Sequence, residues 1–163
     1  MSSNIYMGVE EIEDVDRTDP YSVVALLVHT LCNYDPEDTS TFYEMLQYLL
    51  GDYQPISELT KQNIKDRMLQ NDKYEYIGES YFNGAVPEND YTPDVPYEIE
   101  VKENPYTDSE EGYKKLYLKS NGADSPRPIT LRLAKDGNYY VWGDSFMGLL
   151  ADIKSPESDN PWT

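Results

Sequence analysis

The stretch that most limits the fold is residues 23–31, where Val23, Val24, Ala25, Leu26, Leu27, Val28 and Leu31 leave almost no polar side. Directly ahead stands Asp19-Pro20, a carboxylate that can accept an orphan backbone N–H followed by a residue whose missing donor costs nothing in a first turn. The pair starts a helix, and a helix apolar nearly all round belongs at the centre of its domain. It is expected to end near Asn33, before Asp35-Pro36. The rest of the chain has to cover it.

Cover is available on both sides of the period change that the sequence shows near Asp72. Phe42, Met45, Leu46, Leu49 and Leu50 fall at helical spacing, with Thr41 three residues before Glu44 as a capping box and Gly51 as a left-handed C-cap. A third, more polar helix is expected within residues 57–70, where Ile64 and Met68 form a narrow stripe between Lys61, Lys65, Asp66 and Arg67. Past Asp72 the helical period stops, and Pro87, Pro93, Pro96, Pro105, Pro126 and Pro128 break the chain into short extended pieces. Ile99 and Val101 alternate with charged neighbours, as do Leu116 with Leu118 and Ile129 with Leu131 and Leu133. Asp136-Gly137 then marks a tight reversal into Tyr139 and the residues up to Trp142. The expectation is an α+β fold: about three N-terminal helices packed on an antiparallel sheet of about four strands, closed by a short C-terminal helix around Phe146, Leu149, Leu150 and Ile153.

Domain limits follow from charge. Residues 1–18, with Glu10, Glu11, Glu13, Asp14 and Asp16 around Val9, Ile12 and Val15, have too little apolar surface to order themselves and read as an acidic flexible tail. Residues 19–154 read as one α+β domain and 155–163 as a second acidic tail. A chain of 163 residues is long enough to hold one core without a disulfide or a metal. Its single cysteine, Cys32, cannot form an internal bridge, and residues 1–18 lack the basic start and apolar run of a signal peptide. No apolar run approaches the roughly 20 residues that span a bilayer. These features point to a cytoplasmic protein with no membrane segment.

With 31 acids against 13 bases, the chain would repel the phosphate backbone, so direct nucleic-acid binding is not expected. A basic protein is the partner such a field suits, since it steers encounter, although acidity also serves solubility alone. Most of the excess lies before Arg127.

Several runs carry a family likeness: Ser80-Tyr81-Phe82-Asn83-Gly84-Ala85, Tyr91-Thr92-Pro93, Glu103-Asn104-Pro105-Tyr106, Ser120-Asn121-Gly122-Ala123-Asp124-Ser125-Pro126-Arg127-Pro128, Tyr139-Tyr140-Val141-Trp142 and Asp159-Asn160-Pro161-Trp162. Together they resemble a domain-of-unknown-function family of small bacterial proteins. The resemblance implies a bacterial single-domain protein. It carries no activity and no functional residue.

Among chemistry-bearing residues, His29 and Cys32 are three apart on the first helix and could supply two metal ligands or a nucleophile pair. A closed zinc site needs two further ligands, so burial of both residues is the favoured reading, and no metal or cofactor is expected. Glu79, Glu88, Asp90 and Asp94 could run acid–base chemistry, but proximity among 31 acids selects nothing. The oxygen-rich residues 88–90 and 121–125 lack the alternating frame of a calcium loop and read as turns. Lys115, Lys119, Arg127 and Arg132 could hold an anionic ligand, with cross-strand pairing to Glu98 and Glu100 the simpler outcome.

Tyrosine, at 16 residues, is the other unusual count. Many would line strands, and the rest supply contact area at low entropic cost. The leading expectation is a non-enzymatic module that binds another protein through an acidic surface built from residues 74–117, with Tyr81, Tyr91 and Tyr106 as its contacts. The alternative is a small-ligand site or carboxylate-based enzyme with a pocket between helices and sheet. An inhibitor of a basic enzyme, mimicking nucleic acid, ranks third.

Overall fold

The computed structural model describes residues 2–4, 16–94, 98–159 and 162. The central helix, α1 (Pro20–Leu31), starts as the sequence predicts. The Asp19 carboxylate accepts from Tyr21 N at 2.9 Å and from Ser22 Oγ at 3.1 Å, and Pro20 occupies the first turn. The ten residues from Ser22 to Leu31 are all buried. Cys32 N and Asn33 N then turn back onto the carbonyls of His29 and Thr30, which closes the helix where Asn33 was expected to end it.

Of two further helices, α2 covers α1 and α3 packs at the margin against residues 70–75 and 145–150. In α2 (Ser40–Leu50), Phe42, Met45, Leu46, Leu49 and Leu50 face the core, as their spacing requires. Its start differs from the capping box expected at Thr41. The Asp38 carboxylate lies one turn ahead and accepts from both Ser40 N (3.1 Å) and Ser40 Oγ (2.6 Å), so the helix begins at Ser40. Gly51 takes φ +81°, but its ψ of 171° is extended, so the chain leaves α2 without a left-handed cap. The third helix, α3 (Glu58–Leu69), is capped by Ser57 Oγ accepting from Thr60 N and buries only Ile64 and Met68. It is peripheral, as its polarity predicts.

Residues 70–94 depart from the extended pieces expected there. Gln70–Glu75, Glu79–Tyr81 and Pro87–Asn89 are 3₁₀ turns. Isolated i→i+3 bonds suit a stretch that prolines and left-handed residues keep interrupting, for Asn71, Asp72, Asp90 and Tyr91 all have positive φ. Periodicity cannot register such short elements.

The strands β1 (Ser2–Asn4), β2 (Glu98–Lys102), β3 (Tyr113–Leu118), β4 (Arg127–Leu133) and β5 (Tyr139–Val141) form one sheet in sequence order, every neighbour antiparallel. The four strands read from alternation are all there, and β1 adds a short one against β2. Gly137, at φ +86°, makes the reversal between β4 and β5. Ile99, Val101, Leu116, Leu118, Ile129, Leu131 and Val141 turn their fully buried side chains toward the helices. The 3₁₀ segment Ser145–Leu150 closes the same layer with Phe146, Leu149 and Leu150. The fold is α+β. The tail expected over residues 1–18 falls mainly on residues 5–15, outside those described. Of the expected C-terminal tail, Glu157–Asp159 forms a 3₁₀ turn, and Ser158 Oγ donates to Asp90 at 2.6 Å.

Leu27→Ala should destabilise the domain by about 2–5 kcal/mol in urea unfolding, because the surrounding layers cannot collapse onto a central cavity. Leu59→Ala, at an exposed position of α3, should stay within about 0.5 kcal/mol.

Candidate interaction surface

The three tyrosines expected to form a contact surface part company. Tyr81 is 1% exposed and Tyr91 2%. The Tyr81 hydroxyl donates to the Leu149 carbonyl at 2.6 Å, and the Tyr91 hydroxyl to the Lys154 carbonyl at 2.5 Å. Tyr91 also stacks on Tyr76, with ring centroids 5.2 Å apart and planes within 5°. Burial raises the pKa of both phenols, so they stay protonated donors. Neither can offer its ring to a partner, which corrects the expectation for these two positions. Their work is to fasten the chain after β5 to residues 76–91. Tyr106 remains at the surface, 67% exposed.

Tyr106 sits in the loop between β2 and β3, and that loop is internally bonded. Asn104 Oδ1 accepts from Tyr106 N at 2.8 Å, Thr107 N donates to the Asn104 carbonyl, and the buried Thr107 hydroxyl accepts from Asn104 N at 2.9 Å. Lys114 reaches back to Asp108 (3.2 Å) and Glu103 (3.7 Å). Glu110 and Glu111 are exposed, and neither forms an ion pair among the described residues. The result is a held, acidic loop with one protruding aromatic ring.

Next to it lies a cluster that the sequence alone did not bring together. Alternation places Tyr113, Lys115 and Tyr117 of β3 on the side of the sheet away from the helices, and the register sets Tyr113 opposite Arg132 and Lys115 opposite Thr130. Arg132 stacks its guanidinium on Trp142 at 4.4 Å and on Tyr113 at 5.2 Å. The two rings meet edge to face at 5.8 Å. Lys115 lies over Tyr117 at 5.8 Å. Such stacking fixes a guanidinium while leaving its N–H edge available. Of the four bases singled out in the sequence, Lys119 pairs across strands with Glu100 at 3.8 Å, as expected. Arg127 instead donates to the Asp152 carbonyl at 3.4 Å and belongs to another part of the molecule. The signal for this cluster was the pairing of β3 with β4, which alternation within single strands does not give.

The remaining candidates resolve into structure. His29 is buried, and Asn33 Nδ2 donates to its backbone carbonyl at 2.8 Å and lies 3.4 Å from Nε2. Asn89 accepts from Val86 N and Thr92 N and donates to the Gly84 carbonyl, while Asn121 donates to the Phe82 carbonyl. Asn89 therefore spends its amide on a local turn, and Asn121 spends its amide on a tertiary contact with residue 82. Glu88, Asp90 and Asp94 are exposed. No group of three or more His, Cys, Asp or Glu among the described residues is placed to hold a metal ion. No helix of the described chain is long and apolar enough to cross a membrane.

Cys32 and Glu79 form an internal pair. The chain comes so close at Gly78 that a Cβ there would overlap Cys32 Sγ and meet Cys32 N at 2.8 Å. Burial pushes the Glu79 carboxyl up to about 7, opposed by its hydrogen bond with the thiol. Burial, and then the Glu79 charge, raises Cys32 well above the ordinary thiol range, so the thiol is a donor and a poor nucleophile. Core side chains pack between the helices and the sheet, and two depressions stand out among the described residues. One is an open groove of about 680 Å³ lined by Asn71, Asp72, Lys154, Ser155, Pro156, Glu157 and Asp159. The other, of about 140 Å³, lies between Gln54-Pro55-Ile56 and Gly143-Asp144.

Glu79 has a readable consequence for stability. Its carboxyl keeps its proton in the folded state to about pH 7 but loses it near 4.5 when unfolded, so the folded state binds more protons between those values. Stability should therefore fall as pH rises from about 4.5 to about 7 and then level. Glu79→Gln should remove that component and exceed the parent at pH 8 by on the order of 1–3 kcal/mol. Parallel stability–pH curves for the two proteins would contradict this.

No curated protein and no solved structure matches the chain. A family model described as a domain of unknown function does match, over residues 5–157. With nearly the whole chain and every element from α1 to Ser145–Leu150 inside that match, the protein belongs to the DUF6935 family.

Proposed function

We propose that this domain is a cytoplasmic protein-interaction module that meets a basic partner through the β2–β3 loop, with Tyr106 as its central contact. The observation that carries the reading is the loop itself: an exposed aromatic ring, bordered by Glu103, Asp108, Glu110 and Glu111, on a backbone fixed by Asn104, Thr107 and Lys114. A fixed loop loses little entropy on binding, and a tyrosine offers area and a hydroxyl at the cost of two torsions. The acidic field of the chain, at net charge −18, steers a basic partner toward it. The single thiol, half-buried and held protonated beside Glu79, suits a reducing compartment.

The test is capture on the immobilised domain from its native extract, at about 0.1 M and about 0.5 M salt, where screening weakens charge contacts. A stoichiometric basic protein should bind at the lower salt and be lost at the higher. Tyr106→Ala combined with Glu110→Lys and Glu111→Lys should lose it at both, with the unfolding midpoint unchanged. Identical capture by parent and variant would refute the reading, and so would the absence of any bound protein, a second copy of this chain included.

A further inference from the structure

The acidic loop lies beside a surface of the opposite kind. On the side of the sheet away from the helices stand Lys102, Lys115, Lys119 and Arg132 against two acids, Glu98 and Glu100, in a chain whose overall excess is strongly acidic. Only Lys119 of these four bases has a carboxylate within ion-pair distance among the described residues. Arg132 and Lys115 face aromatic rings instead, and Trp142 is 37% exposed. This face is therefore basic and aromatic, the chemistry that an acidic, tyrosine-bearing loop would recognise.

The loop cannot easily satisfy its own face. Lys114, which holds it through Glu103 and Asp108, points to the opposite side of β3 from Tyr113 and Lys115, because side chains alternate along a strand. Yet the two surfaces adjoin: Tyr113, a member of the aromatic cluster, donates its N–H to the Glu110 carbonyl. Neighbouring surfaces of opposite sign are what a two-fold axis needs to place each copy's loop on the other's face.

We propose that the partner surface for the loop is the outer sheet face of a second copy of this chain, forming a reciprocal dimer. The proposal rests on the interaction reading of the loop given above. Glu110 and Glu111 of one copy meet the Arg132 fork and Lys115 of the other, and Tyr106 packs beside Trp142 and Tyr113. The acids elsewhere on the two copies do not prevent this, because charges farther apart than about 8 Å are largely screened at physiological ionic strength.

Sedimentation velocity at about 0.15 M salt, from about 10 to about 500 µM protein, brackets weak reversible interfaces. The weight-average mass should climb from 18.8 kDa toward twice that value. Arg132→Glu should remain monomeric, and so should Glu110→Arg/Glu111→Arg. An equimolar mixture of those two variants should again dimerise, because the reversed loop of one fits the reversed face of the other. All the changed positions are exposed, and matched thermal midpoints would separate lost association from lost folding. A parent that stays monomeric across the range overturns the dimer, as does a dimer that both variants preserve or a mixture that fails to associate. A monomeric parent that still captures a basic protein through Tyr106 would leave the interaction reading standing without self-association.

Discussion

The structure depends on the burial of α1. A helix with ten consecutive buried residues has no face for solvent, so α2 and the sheet are arranged as its cover, and α3 needs only two buried residues of its own. At about 1.5–3 kcal/mol for each fully buried large aliphatic side chain, this one helix supplies a large share of the force that organises the domain. The Asp19 cap matters for the same reason. It sets where the buried run begins, and with it which residues meet the sheet.

The tyrosines show how the rest of the chain is tied to that centre. Tyr81 and Tyr91 place apolar rings in the core and use their hydroxyls to satisfy carbonyls of the segment following β5. Ser80 and Ser120 bond to each other beneath the same region. Tyr91 does this from a positive φ of 56°, an uncommon conformation for a bulky residue, held here by stacking on Tyr76. Irregular backbone in residues 70–94 and 150–159 is thus fixed by specific polar contacts, where helices and strands would use their own ladders. With these tyrosines spent inside, Tyr106 and Trp142 are exposed around one end of the sheet, beside the half-buried Tyr113 and Tyr117, while Tyr53 and Trp162 are exposed elsewhere.

How much of this could be read beforehand differs by element. Asp19-Pro20, the spacing from Phe42 to Leu50, and the alternation of Ile99 to Leu133 each express a strong local rule, and each element formed where the rule put it. The start of α2 lies two residues ahead of the one a cap at Thr41 gives, because the carboxylate of Asp38 competes with the weaker hydroxyl of Thr41. The 3₁₀ turns of residues 70–94 were not legible, since elements of three to six residues have no period to detect. At the surface, composition identified an acidic, tyrosine-bearing chain but not which tyrosines face out. Tyr81 and Tyr91 have the same kind of neighbours in sequence as Tyr106, and only the packing of residues 145–159 distinguishes them. The Arg132–Trp142–Tyr113 cluster needed three strands brought into register.

Contact at the β2–β3 loop and the adjoining outer sheet face would shield the side chains there from solvent. Hydroxyl-radical footprinting of the side chains tests it directly, comparing the protein dilute, concentrated, and bound to a captured partner. Tyr106 should lose reactivity on binding, and Tyr113 and Trp142 should join it in the concentrated sample, while the fully exposed Tyr53 stays unchanged. Unaltered reactivity at Tyr106 and Trp142, with protection appearing instead at the groove formed by Asn71, Asp72 and Pro156, would contradict it.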